Sequence, residues 1–151
     1  MLNPDTELLR ATVSDMEVAR QAIADVNLSS SHHRLALDDV ALHEFLSDPR
    51  QYLIVAIREG KVLGSLYGYA LHHPYRREPQ FFIYGIDVRV DHQNRGVGTA
   101  LVERFISEAR RENAFEVWVL TNHTNVPAMA MYKRAGLKRC GDGEAMLELA
   151  L

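Results

Sequence analysis

A single cysteine, Cys140, stands among the 151 residues, so no disulfide can close within the chain. That suits a reducing cytosol, where thiols stay free. No uninterrupted apolar run approaches the roughly 20 residues that a membrane-spanning helix needs. The opening "MLNPDTELLRATVSD" lacks the basic and apolar regions of a secretory signal. Positive charge is not in excess either: 17 Lys and Arg stand against 20 Asp and Glu, a formal net charge of −3. A nucleic-acid partner would call for a basic surface, which this balance does not supply. These absences predict a soluble cytoplasmic protein with no nucleic-acid or membrane partner. What is present is ordinary, 47% hydrophobic and 25% charged. At this length that is enough for one real core, and no repeat or linker divides it, so residues 1–151 read as one domain.

Periodicity supplies the elements. "TELLRA" (6–11) reads as a strand and 14–27 as a helix, with Ser14 as its N-cap and Glu17 at the capping-box position. Met16, Ala19, Ile23 and Val26 recur on one face of that helix. A polar connection (28–37) leads to a second helix over 38–47. Residues 51–73 alternate as two strands joined by "REGK", whose glycine supplies the unusual turn dihedrals. After a loop, 81–90 reads as a strand rich in β-branched and aromatic residues. From Gly96 to about Glu112 the period returns to that of a helix, with Val97, Leu101, Phe105 and Ala109 as its stripe and Arg104–Glu108 as an i, i+4 pair. A strand over 115–121 and a helix over 126–135 follow, with Pro127 in the first turn and Gly136 as a left-handed stop. "LKRCGDGEAMLELAL" reads as a closing hairpin. The fold class is therefore α/β of the α+β kind, a mostly antiparallel sheet followed by crossover units.

The stretch "QNRGVGTAL" (93–101) sets two glycines where strand gives way to helix. A P-loop needs Gly-Lys-Ser/Thr, which the chain does not contain. A dinucleotide-binding fingerprint needs a third glycine where Leu101 stands, and an acid near the end of the next strand, where Thr121 and Asn122 stand. A tight turn alone would also use such glycines. The alternative is an anion site: the first-turn N–H groups of the following helix converge, carry the positive dipole end, and have Arg95 beside them. Glycines there would remove side chains that block a diphosphate.

"Gln93-Asn-Arg-Gly96-Val-Gly98" resembles the Gln/Arg-x-x-Gly-x-Gly/Ala signature of the GNAT N-acetyltransferase superfamily. A second block, "Asn125-Val-Pro-Ala128-Met-Ala-Met-Tyr132-Lys-Arg-Ala-Gly136-Leu137", resembles that superfamily's Asn-x-x-Ala-x-x-x-Tyr-x-x-x-Gly-Phe/Leu segment, in the expected order. The resemblance implies a mixed central sheet of six to seven strands, helices on both faces, and a splayed strand pair. It implies acetyl-CoA as co-substrate, no metal, and an N-acetyltransferase acting by direct attack of a primary amine on the thioester. The backbone of Val88 and Val90 would pair with pantetheine. The amides of Arg95, Gly96, Val97, Gly98 and Thr99 would hold the pyrophosphate. Asn125 would bond pantetheine or cap its helix.

On the same resemblance, Tyr132 would protonate the departing thiolate as general acid, or else serve as a core tyrosine. A backbone N–H near Val88, released by a bulge, would hold the thioester oxygen. For the base, Asp87 is the first choice, with His32, His33, a tyrosine or water as alternatives. Ser65, Tyr67 and Tyr69 would lie opposite the splay. His72 and His73 belong to the far end of a hairpin around 74–79. Within the superfamily the chain is most similar to aminoglycoside 3-N-acetyltransferases, which carry an aspartate where Gly85 follows Tyr84. The acceptor is expected to be a small amine, with an aminoglycoside, a peptide or protein α-amine, or no acceptor at all in a non-catalytic acyl-CoA-binding module as the other readings. A homodimer is a further expectation of the resemblance.

Overall fold

The structure, a computed structural model, describes residues 1–29 and 37–141. The elements run β1 (Glu7–Arg10), α1 (Met16–Ser29), α2 (Asp39–Ser47), β2 (Gln51–Arg58), β3 (Lys61–His73), β4 (Arg76–Val88), α3 (Val97–Arg111), β5 (Glu116–Val119) and α4 (Val126–Arg134). The strands form one sheet in sequence order. The first three pairings are antiparallel and β4–β5 is parallel. The architecture is thus the expected mixed, mostly antiparallel α/β sheet, but with five strands among the described residues rather than six or seven. The shortfall lies at the C-terminal hairpin: residues 137–141 belong to no strand, and 142–151 fall outside the described residues.

The run "YLIVA" in β2 is buried without alternation because both faces of the sheet are covered. On one face α3 and α4 pack against Tyr52, Ile54, Leu66, Phe81 and Ile83. On the other α1 and α2 cover Leu53, Val55 and Val62. The stripe expected on α3 is buried as a set, Val97, Leu101, Phe105 and Ala109. Phe105 packs against the touching rings of Tyr52 and Phe81, at centroid distances of 5.9 and 5.3 Å. Gly68 makes room for it, since a Cβ there would lie 2.7 Å from Phe105 Cζ.

One core feature goes beyond the sequence pattern. The Arg104–Glu108 pair is not a surface pair: Glu108 is 4% exposed and receives Arg104 at 2.6 Å, Arg111 at 3.6 Å and Arg10 at 3.7 Å. Arg10 also lies 3.8 Å over the Tyr52 ring. A carboxylate buried this far needs such partners, so the cluster ties α3 to the edge strand β1.

Several boundaries are corrected. The cap of the first helical segment is Thr12, not Ser14. Asp15 Oδ2 accepts from the Thr12 N–H (2.8 Å) and Thr12 Oγ1 accepts from the Ser14 N–H (3.3 Å), closing a capping box around a 3-10 turn at Val13–Asp15. The loop expected over 74–79 contracts to a tight turn, with His73 opposite Arg76, so β4 begins early. It also ends at Val88, not at residue 90, because Val90–His92 winds into a 3-10 turn.

Candidate active site

β5 pairs with β4 only from Gln80–Glu116 to Ile83–Val119. Beyond Ile83, β4 runs on to Val88 with no strand on that side among the described residues, and a gap opens. Which backbone groups face the gap follows from the β3 ladder. Arg89 N–H donates to Leu63 C=O (2.9 Å), so the alternation of an antiparallel pair turns Asp87 toward β3, and Ile86 and Val88 toward the gap. The Val88 carbonyl accepts there from Gln93 Nε2 (3.1 Å). The expected bulge exists but sits at Tyr84, where Tyr67 faces Gly85 and Gly68 faces Ile83. Val88 stays in register with Gly64, so its amide reaches the gap by ordinary alternation and not by release from a bulge.

Below the gap α3 begins. Gly96 is its N-cap at φ +82°, a conformation glycine adopts without strain, and no side chain caps the helix. The first intrahelical donor is Ala100, to Gly96 C=O at 3.0 Å. The amides of Val97, Gly98 and Thr99 thus have no intrahelical acceptor and suit an anion. The glycines themselves serve the protein's own packing. A Cβ at Gly96 would lie 2.8 Å from Leu2 N, and one at Gly98 would lie 2.5 Å from Met131 Sδ. Their missing side chains leave room for the N-terminal segment and α4, a packing role that stands beside the expected room for a diphosphate. Arg95 stands at the start of this turn. Val90 offers no strand edge: it is 72% exposed, and its carbonyl accepts from Gln93 N–H (3.4 Å).

α4 is fixed at both ends. Asn125 Oδ1 accepts from Ala128 N–H (3.2 Å). At the other end Gly136, at φ +93°, donates to Lys133 C=O (3.0 Å) while Leu137 N–H donates to Tyr132 C=O (3.0 Å), the paired bonds of a Schellman stop. This holds Tyr132 7% exposed, with Met131 against the first turn of α3. Burial, and secondarily the charge of Asp87, pushes the Tyr132 phenol up to about 12. Its hydroxyl is therefore protonated at neutral pH. Tyr67 is raised too, chiefly by burial and then by Tyr84, Tyr69 and Asp87, so the Asp87 charge is within electrostatic reach of both phenols.

Tyr67, Tyr69 and Tyr84 gather with Phe45 of α2 on the α1/α2 face. The cluster was only half legible: Tyr67 and Tyr69 follow from strand register, but nothing in α2 marks Phe45 as their partner. Gly85 is explained by it, since a Cβ there would lie 2.5 Å from Tyr67 Cε1. Residues 72 and 73 sit at the hairpin end, His73 opposite Arg76 and most of the length of β4 from Asp87. His32 and His33 fall outside the described residues. Among the described residues no three metal-ligating side chains converge, and no helix is long and apolar enough to cross a membrane.

The architecture and motifs have known counterparts. A model of the acetyltransferase (GNAT) family matches residues 18–137. The chain is 30% identical over 111 residues to N-acetyltransferase 8B of Homo sapiens, an alignment covering 68% of this chain and 49% of that protein. It thus spans about half the length of that relative. An aminoglycoside acetyltransferase, meta-AAC0020, from an uncultured soil metagenomic sample superposes with a TM-score of 0.82 at 20% identity, covering 98% of this chain and all of that one. AAC(6')-Iy, solved with the bisubstrate analog CoA-S-monomethyl-acetylneamine, superposes at 0.74 with 15% identity, covering 96% and 99% of the two chains. These last two are likenesses of fold.

Proposed function

The chain belongs to the acetyltransferase (GNAT) family, and from that premise we propose that it transfers an acetyl group from acetyl-CoA to a small primary amine. The observation that carries the reading is the convergence at one gap of a protonated buried phenol, a carboxylate and an uncapped helix N-terminus. Acetyl-CoA, when bound, supplies a thioester carbonyl and a thiolate leaving group. The amides of Val97, Gly98 and Thr99, with Arg95 and the Gly96 turn beside them, hold the pyrophosphate. Ile86 and Val88 present backbone groups to the gap, where pantetheine amides lie as an added strand. Asn125 already caps α4 through Oδ1 and keeps its Nδ2 donor for the ligand.

Tyr132 holds a proton at Oη for the departing sulfur and acts as general acid. Asp87 takes the proton that the attacking ammonium must lose, directly or through water. The amide N–H of Val88 faces the side on which the carbonyl oxygen becomes negative. The fold lies in a single domain, 1–151, and acts in the cytoplasm. Incubation with acetyl-CoA and a panel of amines, reading free thiol, tests the proposal. Thiol release that depends on amine and on Tyr132 is the expected result. No release with any small amine or peptide would refute it.

A further inference from the structure

Tyr84 is a large aromatic residue at the protein surface, 61% exposed, yet its ring is fixed by its neighbours. It lies 5.2 Å from the Tyr67 ring, 5.9 Å from Tyr69 and 5.9 Å from Phe82. Phe45 closes the other side at 6.3 Å from Tyr67 and 5.9 Å from Tyr69. A wall of four electron-rich rings, Tyr84 exposed and Tyr67, Tyr69 and Phe45 half-buried behind it, attracts a cation over its faces and an aromatic group along its edges. The wall adjoins Asp87 on the same strand.

Among the described residues, acids that would hold a polycation are scarce at this place. Of the carboxylates on and around α2, Asp38 caps the helix, and Asp39 and Asp48 bind Arg20 and Arg50 at 2.8 Å each. Glu44 remains, exposed, beside Phe45. Next to Tyr84 on the strand, position 85 is closed to any carboxylate by the Tyr67 ring. Burial keeps the Tyr67 and Tyr69 phenols neutral well above neutral pH.

We infer that the acceptor is an arylalkylamine-like monocation, its ammonium directed to Asp87 and its flat apolar flank laid on the wall of Tyr84, Tyr67, Tyr69 and Phe45. This rests on the acetyl-transfer reading above for the position of the acceptor. The test is calorimetric titration of the protein, saturated with CoA, with 2-phenylethylamine, n-butylamine and tobramycin, beside thiol release from acetyl-CoA with the same amines.

The expected result is 2-phenylethylamine binding about 2- to 12-fold tighter than n-butylamine, the range of an aromatic ring pair, since the two share the same ammonium. Tyr84→Leu, which keeps apolar bulk, removes that preference, and Tyr84→Phe retains it. Equal binding of the two monoamines, tighter binding of tobramycin, or no binding of any amine overturns the inference. Thiol release with tobramycin and not with 2-phenylethylamine also overturns it, while acetyl transfer stands. Ring-dependent binding without thiol release from any amine does the reverse, sinking acetyl transfer and sustaining the aromatic site.

Discussion

Substituting Gly85 by alanine places one methyl group against the Tyr67 ring. The new Cβ would lie 2.5 Å from Cε1, 3.1 Å from Cζ and 3.2 Å from Cδ1. A carbon pair packs comfortably at roughly 3.5–4.0 Å, so the ring must yield by about 1 Å. Gly85 is not among the positive-φ glycines, so alanine suffers no backbone strain there. The penalty is overpacking alone, about 1–3 kcal/mol. For a chain of this size that lowers the melting temperature by roughly 2–12 °C. In a Tyr67→Ala background the obstruction is gone, and the same substitution costs less than about 0.5 kcal/mol. A double-mutant cycle by denaturant titration reads the difference as a coupling of about 1–3 kcal/mol. An equal loss in both backgrounds, or none in either, would refute the account of Gly85 as the seat of the Tyr67 ring.

Tyr132→Phe removes the proposed proton donor but no hydrogen bond found among the described residues, so kcat falls about 10²–10⁴-fold while the melting temperature holds. Alkaline pH gives a second reading of the same phenol. Its folded pKa of about 12 stands above the ordinary value of 10.0, so its share of stability is whole below pH 10 and is lost as pH rises toward 12. Unfolding followed across that window becomes less steep in Tyr132→Phe; an unchanged slope would contradict the burial argument. Glu108→Ala leaves Arg10, Arg104 and Arg111 without their carboxylate, but these side chains remain 30%, 31% and 68% exposed to water. The loss is therefore about 1 kcal/mol, a drop of roughly 2–4 °C by calorimetry. Asn125→Ala removes the cap of α4 at about 1 kcal/mol, and circular dichroism melts report it as roughly 2–4 °C.

Elements whose residues carry a period or a stop signal were legible in the chain. The α3 stripe, the Gly60 turn and the Gly136 stop all fall where the pattern puts them, because each depends on local chemistry. The Thr12 cap is not singled out by the sequence, because a capping box can be written with Asp15 as well as with Glu17, and only the bonds decide. The early end of β4 was hidden because "VRV" carries strand propensity that the Val90–His92 turn overrides. At the site, motif spacing drew Tyr132, Asn125 and the α3 amides together. The roles of Gly98 and Gly85 depend on residues remote in sequence, Met131 and Tyr67, and spacing cannot carry that information. Phe45 joins the aromatic wall for a reason of the same kind, the packing of α2 on the sheet.

α4 has nine residues, and of these Tyr132 is the buried one. A helix so short has little stability of its own and holds through what it buries. The side chain we propose as proton donor is therefore also the anchor of the segment that carries it. Local opening of α4 then withdraws the phenol from the gap while the sheet and α3 remain folded. Heat would silence such an enzyme in two stages, first by fraying of this one segment and only later by collapse of the core.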